Sequence, residues 1–220
     1  MNRATSLVEQ PSCMTIVTTI VTTIALIIVT TEENTMSTPI LVAYATSYGS
    51  TKEVAEAVGR LWEVRGVGVG LETMPAVRTL TGGGAMGLGA PLHMFHWHKD
   101  ARNFLAQHHE SLIDRPVAVF ALGPFHDEEK EWQEVRTQLD KELARFPWLA
   151  PVAITVFGGK FDPAQLRFPF NLLPALKRMP ASDIRDWTAI RAWASGLAEQ
   201  FQATLSPAEA SPTRAAAAGV

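Results

Sequence analysis

Cysteine is almost missing from this chain: Cys13 is the only one in 220 residues. That excludes an intramolecular disulfide and a thiolate metal centre, and it fits a reducing compartment. Charge of one sign is missing too. Nineteen Lys and Arg face 22 Asp and Glu, a formal net charge of -3. The signs are well mixed and no basic stripe marks a nucleic-acid partner. Two phosphate signatures are absent as well. No glycine-rich loop closes on Gly-Lys-Ser/Thr, so nothing is built to hold a triphosphate and magnesium. The three-glycine dinucleotide fingerprint is also lacking.

The stretch that organises the rest is residues 40–62. An apolar run (Ile40, Leu41, Val42, Ala43, Tyr44, Ala45) precedes the polar loop Thr46, Ser47, Tyr48, Gly49, Ser50, Thr51. A helical pattern follows, with Val54, Ala55, Val58, Leu61 and Trp62 on one stripe. Strand, hydroxyl-rich loop and helix in that order make an anion site. The first helical N–H groups lack internal partners and the helix dipole is positive there. Four hydroxyls (Thr46, Ser47, Ser50, Thr51) add donors, and Gly49 tolerates a positive φ. With little positive charge, the loop suits a single phosphate monoester. The competing reading is an ordinary βα turn in which Ser50 or Thr51 N-caps the helix.

Residues 1–35 differ from everything after them. Residues 14–31 are an uncharged Thr/Ile/Val tract about as long as a membrane span. A signal peptide would need a small-x-small cleavage site, which is not there. A membrane anchor would be richer in Leu. The favoured reading is an upstream extension, with translation starting at Met36 just before the first strand. Residues 36–203 then form one domain, and 204–220 an Ala/Pro/Ser-rich tail without a fold.

Further strands are expected at residues 66–71, where apolar residues alternate with glycine, and at 81–90, which is glycine-laden. Two apolar runs, 117–122 and 152–157, complete a set of five. Helices are expected at 99–109, after 127, and at 186–201. His108 and His109 fall near the end of the first of these, where positive charge suits the dipole. Strands alternating with helices imply a parallel α/β sheet with right-handed crossovers. In a doubly wound sheet of order 2-1-3-4-5, residues 91–100 leave strand three at the switch point, facing the first loop. A flat ring system would sit there. Pro91, Leu92, His93, Met94, Phe95, His96 and Trp97 are on one side, and the loop Gly123, Pro124, Phe125 on the other. His93, His96 and His98 lack thiolates among them and only Asp100 is a nearby carboxylate, so no metal site is expected. No catalytic residue is identifiable; His98 and His126 are candidates by location alone.

Between the fifth strand and the last helix, residues 160–185 form an insert longer than an ordinary loop. Apolar residues (Phe161, Leu166, Phe168, Phe170, Leu172, Leu173, Leu176, Met179) alternate with Lys160, Arg167, Lys177, Arg178 and Arg185. A short amphipathic piece is expected over about 170–179. It reads either as a lid on the core or as a greasy cationic surface for a membrane interface, a hydrophobic substrate or a quinone.

The loop at 46–51 resembles the FMN phosphate loop of the flavodoxin family. Residues 89–98, the Gly158-Gly159-Lys160 turn with its insert, and the Asp186-Trp187 pair are similar to those of the bacterial flavodoxin-fold, menaquinone-dependent protoporphyrinogen oxidase group. The resemblance covers about residues 39–201. It implies a flavodoxin-like five-stranded parallel sheet with helices on both faces and FMN as cofactor. FMN would be bound by Thr46, Ser47, Tyr48, Gly49, Ser50, Thr51, Pro91, Leu92, His93, Met94, Phe95, Trp97, Gly123 and Pro124. It implies a cytoplasmic oxidoreductase, peripheral at the inner membrane face, that oxidises protoporphyrinogen IX in heme biosynthesis with a quinone acceptor. The alternative is a non-catalytic flavodoxin-type electron carrier or FMN-binding module. The glycines near strand three, and an insert shorter and less basic than the oxidase's, depart from that group.

Overall fold

The computed structural model describes residues 40–80, 84–93, 96–168 and 170–205. Strand β1 (Ile40–Tyr44) runs parallel to β2 (Val69–Thr73) on one side and to β3 (Ala85–His93) on the other. β3 pairs with β5 (Val117–Leu122), and β5 with β6 (Ala153–Phe157), again in parallel. The order β2-β1-β3-β5-β6 is the expected 2-1-3-4-5 arrangement. A short strand β4 (His96–Trp97) turns back antiparallel on the end of β3.

Helices cover both faces, and each face has its own core. Helix α1 (Ser50–Val64) and the terminal helix α6 (Trp187–Leu205) close one face. Val54, Ala55, Val58 and Trp62 pack there with Ile190, Ala194, Leu197 and Phe201. The Trp62 indole N–H donates to the Ala194 carbonyl at 2.7 Å, so the largest ring of this core is satisfied as well as buried. On the other face lie α2 (Lys99–Gln107), the short α3 (His109–Leu112) and α4 (Glu129–Leu143). Ala101, Phe104, Leu105 and Leu139 meet Met86, Leu88 and Val119 there.

The expected elements needed adjustment in four places. β2 starts at Val69 rather than residue 66, because Gly66 has φ 78° in the turn after α1. β3 starts at Ala85 rather than 81 and runs on through Pro91 to His93. A proline is tolerated there because β1 pairing ends at Gly89, so no β1 residue stands opposite Pro91 to need its missing N–H. The expected helix at 99–109 is two helices that meet at His108. His108 is buried, and burial lowers its pKa, offset in part by a hydrogen bond to the Val77 backbone. It is therefore a neutral core residue, not a cation complementing a helix end. Lastly, the terminal helix continues to Leu205, four residues past the expected end.

Of the glycines of β3, Gly89 has a steric reason. Gly87 and Gly89 point to the α1/α6 face, where a Cβ at Gly87 would lie 3.4 Å from the Trp62 ring. A Cβ at Gly89 would overlap Cζ, Cε1 and Cε2 of Phe120. Met86, Leu88 and Ala90 alternate with them and fill the opposite face. Gly89 is thus required because the Phe120 ring occupies the space a side chain would take, whereas a methyl at Gly87 would make only ordinary contact with Trp62.

His108 gives the fold an acid sensitivity. Its folded pKa lies below the unfolded value of about 6.5, so below that pH the unfolded chain binds more protons than the folded one. Stability should therefore rise with pH through the range just below 6.5 and fall on acidification. His98 is shifted in the same direction, mainly by burial. In His108→Gln, the urea midpoint measured from pH 7.5 down to 5.5 should fall less steeply than in wild type. An identical slope would remove His108 from the explanation.

Candidate functional site

The loop after β1 is closed by its own first hydroxyl: Thr46 Oγ1 accepts from the Gly49 N–H at 2.9 Å. Gly49 has φ 89°, a left-handed conformation that glycine adopts without strain, and it occupies the N-cap of α1. It has no side chain to cap with, and no side-chain cap is formed. The first helical N–H taken up is that of Glu53, by the Gly49 carbonyl at 3.1 Å. The amides of Ser50, Thr51 and Lys52 precede it at the open, positive end of a 15-residue helix. The competing reading, a turn capped by Ser50 or Thr51, is therefore not what forms: the helix start carries no side-chain cap. Among the described residues, the fully buried Thr51 hydroxyl has no hydrogen-bond partner.

A cavity of about 450 Å³ opens beside this helix end. That is within the range of about 300–1,000 Å³ typical of small-molecule sites. It draws walls from four parts of the chain. Ser47, Tyr48 and Ser50 come from the first loop, Pro91 and Leu92 from the end of β3, and Leu122, Gly123 and Phe125 from the end of β5. The insert supplies Lys160, Phe161, Leu166, Phe170 and Leu176. All lie at the carboxyl ends of the parallel strands, where the strand order reverses, as sheets of this kind place their ligands.

The expected site residues divide accordingly. Ser47, Tyr48, Ser50, Pro91, Leu92 and Gly123 line the cavity. Thr46, Gly49 and Thr51 shape the loop behind them. Trp97 needs correction: it is buried in the α2/α4 core, its indole N–H donating to the Ala90 carbonyl at 3.3 Å. It braces the β3–β4 hairpin rather than facing a ring. His96 lies on the outside of that hairpin, 3.2 Å from the buried carboxylate of Glu142. Pro124 accepts from the Gly159 N–H at 2.7 Å through its carbonyl. Met94 and Phe95 lie outside the described residues, and of His93 only the backbone is described, as the last residue of β3. The two histidines singled out by location are occupied elsewhere. His98 caps α2, its Nδ1 accepting from the Asp100 N–H at 3.2 Å, and burial lowers its pKa. His126 lies 3.1 Å from Glu131, whose carboxylate also accepts from the Phe125 and His126 amides. Among the described residues, no cluster of three His, Cys, Asp or Glu could hold a metal.

Sequence reading did not foresee how the insert is fastened. Its two ends pair as antiparallel strands β7 (Lys160–Phe161) and β8 (Ser182–Asp183). Between them are two 3-10 turns and helix α5 (Pro174–Arg178). Arg185 locks the base: its guanidinium holds Asp183 at 2.6 and 2.7 Å and reaches across to Glu53 of α1 at 2.7 Å. Its side chain is 3% exposed, and it stacks 4.8 Å over the Trp187 ring. The guanidinium hydrogen bonds hold the Asp183 carboxyl below the usual carboxylate range. Lys160 stands 3.7 Å from Glu53. The insert is thereby tied to the first turn of the helix whose open end borders the cavity. A charge alternation in 160–185 was visible in the sequence; its target, Glu53, was not.

A model of the flavodoxin-domain family matches residues 41–170, more than half of the chain. The chain belongs to that family. The solved structures it resembles include oxidised flavodoxin 1 from Bacillus cereus, at 14% identity and TM-score 0.48, covering 76% of this chain and 99% of that one. A flavodoxin from the domain Archaea aligns at 16% identity and TM-score 0.46, over 74% of this chain and 98% of that one. The flavodiiron core Flv1 from Synechocystis sp. PCC6803 aligns at 15% identity and TM-score 0.49, over 78% of this chain and 38% of the other. No curated protein matches the sequence. Flavodoxin-family relatives bind FMN, in keeping with the cofactor expected from the loop. Among the described residues no helix is long and apolar enough to cross a membrane; the tract at 14–31 lies outside them.

Proposed function

We propose that the cavity holds FMN and that the chain is an FMN-dependent oxidoreductase acting on a hydrophobic reductant. The observation that carries this reading is an uncapped helix mouth at the rim of an apolar cavity. The open amides of α1, with the hydroxyls of Thr46, Ser47, Ser50 and Thr51, suit a phosphate, and the orphaned Thr51 hydroxyl is a donor with nothing to donate to. Pro91, Leu92, Gly123 and Phe125 give the cavity walls that suit a flat ring system. Bound FMN supplies the redox chemistry; the protein binds it, orients it and limits access to it. Phe161, Leu166, Phe170 and Leu176 give the cavity an apolar wall on the insert side.

The finer reading is oxidation of protoporphyrinogen IX with a quinone as acceptor. Its support is the apolar insert at the cavity, a feature that a small carrier docking to another protein does not need. Among the described residues, those lining the cavity include one cation, Lys160, and one carboxylate, Asp162. Neither is placed to be assigned as an acid or base, so rate should depend on binding and access rather than on one titrating side chain. The test is an anaerobic assay of the flavin-loaded protein with protoporphyrinogen and menadione. Porphyrin fluorescence should appear in proportion to enzyme. Protein that holds flavin yet gives no turnover would favour the electron-carrier alternative.

A further inference from the structure

The outer surface of the insert differs from the rest of the molecule. Phe168 is 77% exposed and Leu172 67%, and Leu173 beside them is half exposed. They lie between Asp162 and Asp183, a stretch of 20 residues with no acidic side chain. In that stretch stand Arg167, Lys177 and Arg178, all exposed. Yet the whole chain is acidic, with a net charge of -3. Exposed apolar side chains among cations, on short turns with no acid near, match an anionic lipid surface. Phe and Leu enter the headgroup region while Lys and Arg meet lipid phosphates. Tyr, Trp and acidic partners, which would suit a protein interface, are absent from the stretch.

The inner side of the same stretch adds a second observation. Leu166, Phe170 and Leu176 line the cavity, while Phe168, Leu172 and Leu173, their neighbours in sequence, face outward. One segment of about ten residues therefore has an apolar side toward the site and an apolar side toward solvent. Its base is fixed to the body through β7, β8 and the Arg185 lock, so the outward side chains are presented by a tethered element rather than a loose loop.

We infer that residues 167–178 dock the protein on an anionic bilayer surface and set the cavity mouth against it, so that a lipid-dissolved reductant or quinone enters through the insert. The docking part stands on the surface alone. Only the entry route rests on the function proposed above.

The test is co-sedimentation of the full chain with phosphatidylcholine vesicles, with or without phosphatidylglycerol. Wild type should partition about tenfold more strongly onto the anionic vesicles, and added salt should release it. Two variants probe the surface: Phe168→Ser with Leu172→Ser, and Arg167→Gln with Lys177→Gln and Arg178→Gln. None of these five side chains lines the cavity. Each variant should lose at least about tenfold of the vesicle binding while its circular dichroism and flavin content stay as in wild type. Wild-type protein that ignores anionic vesicles would overturn the inference. So would binding that both variants retain, which would assign the attachment to another part of the chain such as residues 14–31. A concentration-dependent dimer without lipid, abolished by Phe168→Ser with Leu172→Ser, would assign the patch to a second copy and also overturn it. Because vesicle binding is read without turnover, these results are separate from the porphyrinogen assay.

Discussion

Gly89→Ala should destabilise the fold by about 3 kcal/mol, the upper end for forcing an extra methyl into a filled core. The added carbon would fall within the Phe120 ring. That ring cannot swing aside, because Phe157 and Trp193 pack against it with centroids 6.3 and 5.8 Å away. β3 cannot retreat either, since it is hydrogen-bonded to β1 and β5 on its two sides. The companion change Phe120→Val removes Cζ, Cε1 and Cε2, the three Phe120 atoms nearest the new Cβ. Alone it should also destabilise, by leaving a cavity. Combined with Gly89→Ala it should do less harm than the sum of the two, with a coupling of at least about 1 kcal/mol. Urea midpoints of the four proteins give the cycle. Simple additivity would mean that the glycine is not there to make room for the ring.

The second large effect is expected at the first loop. Replacing Thr46, Ser50 and Thr51 together by Val leaves the backbone amides in place and removes three of the four hydroxyls. Hydrogen bonds to a charged group contribute about 1.5–3 kcal/mol each. Losing three should weaken FMN binding by roughly a thousandfold or more. The folded state should tolerate the change. Thr51→Val removes a buried hydroxyl that has no partner, which is neutral or favourable to stability. Thr46→Val gives up its bond from the Gly49 amide, at a cost of about 1 kcal/mol. A thermal melt near that of the apo wild type, with the yellow colour gone, is the expected pair of results. A colourless protein that has also unfolded would be a scaffold effect and would count against the phosphate role.

How much of this was legible beforehand depended on the signal each segment carries. β1 and β5 are buried runs of branched and apolar residues, and β6, though an edge strand with Ile154 exposed, is as apolar, so their place in the sheet follows from composition and spacing. The helix stripes at Val54, Val58 and Trp62 were as clear. β3 was harder, since Gly87 and Gly89 have no side chain to show a pattern. The meaning of Gly89 lies in Phe120, which is distant in sequence. Trp97 misled because an aromatic in a loop at a switch point looks like a stacking partner. Only the fold shows that the loop is a hairpin that turns its ring into the core. His108 misled in the same way: a histidine near a helix end looks like a dipole cation until burial is known. The Arg185 lock was out of reach, because its carboxylate partner Glu53 is 132 residues away.

For the loop at 46–51 the structure adds what the sequence does not carry. Hydroxyls near a helix start would normally cap it, yet the N-cap position falls on Gly49 and the cap is left unmade. The flavin reading rests on that vacancy and on the apolar cavity beside it.

The most direct measurement separates the phosphate from the ring. Flavin-depleted full-length protein is titrated with FMN and, in parallel, with riboflavin, following quenching of flavin fluorescence. If the mouth of α1 holds the phosphate, FMN should bind at least about a thousandfold more tightly, and the triple valine variant should lose most of that preference, keeping the part due to the backbone amides. Equal affinity of the wild type for the two flavins, or no quenching by either, would contradict it.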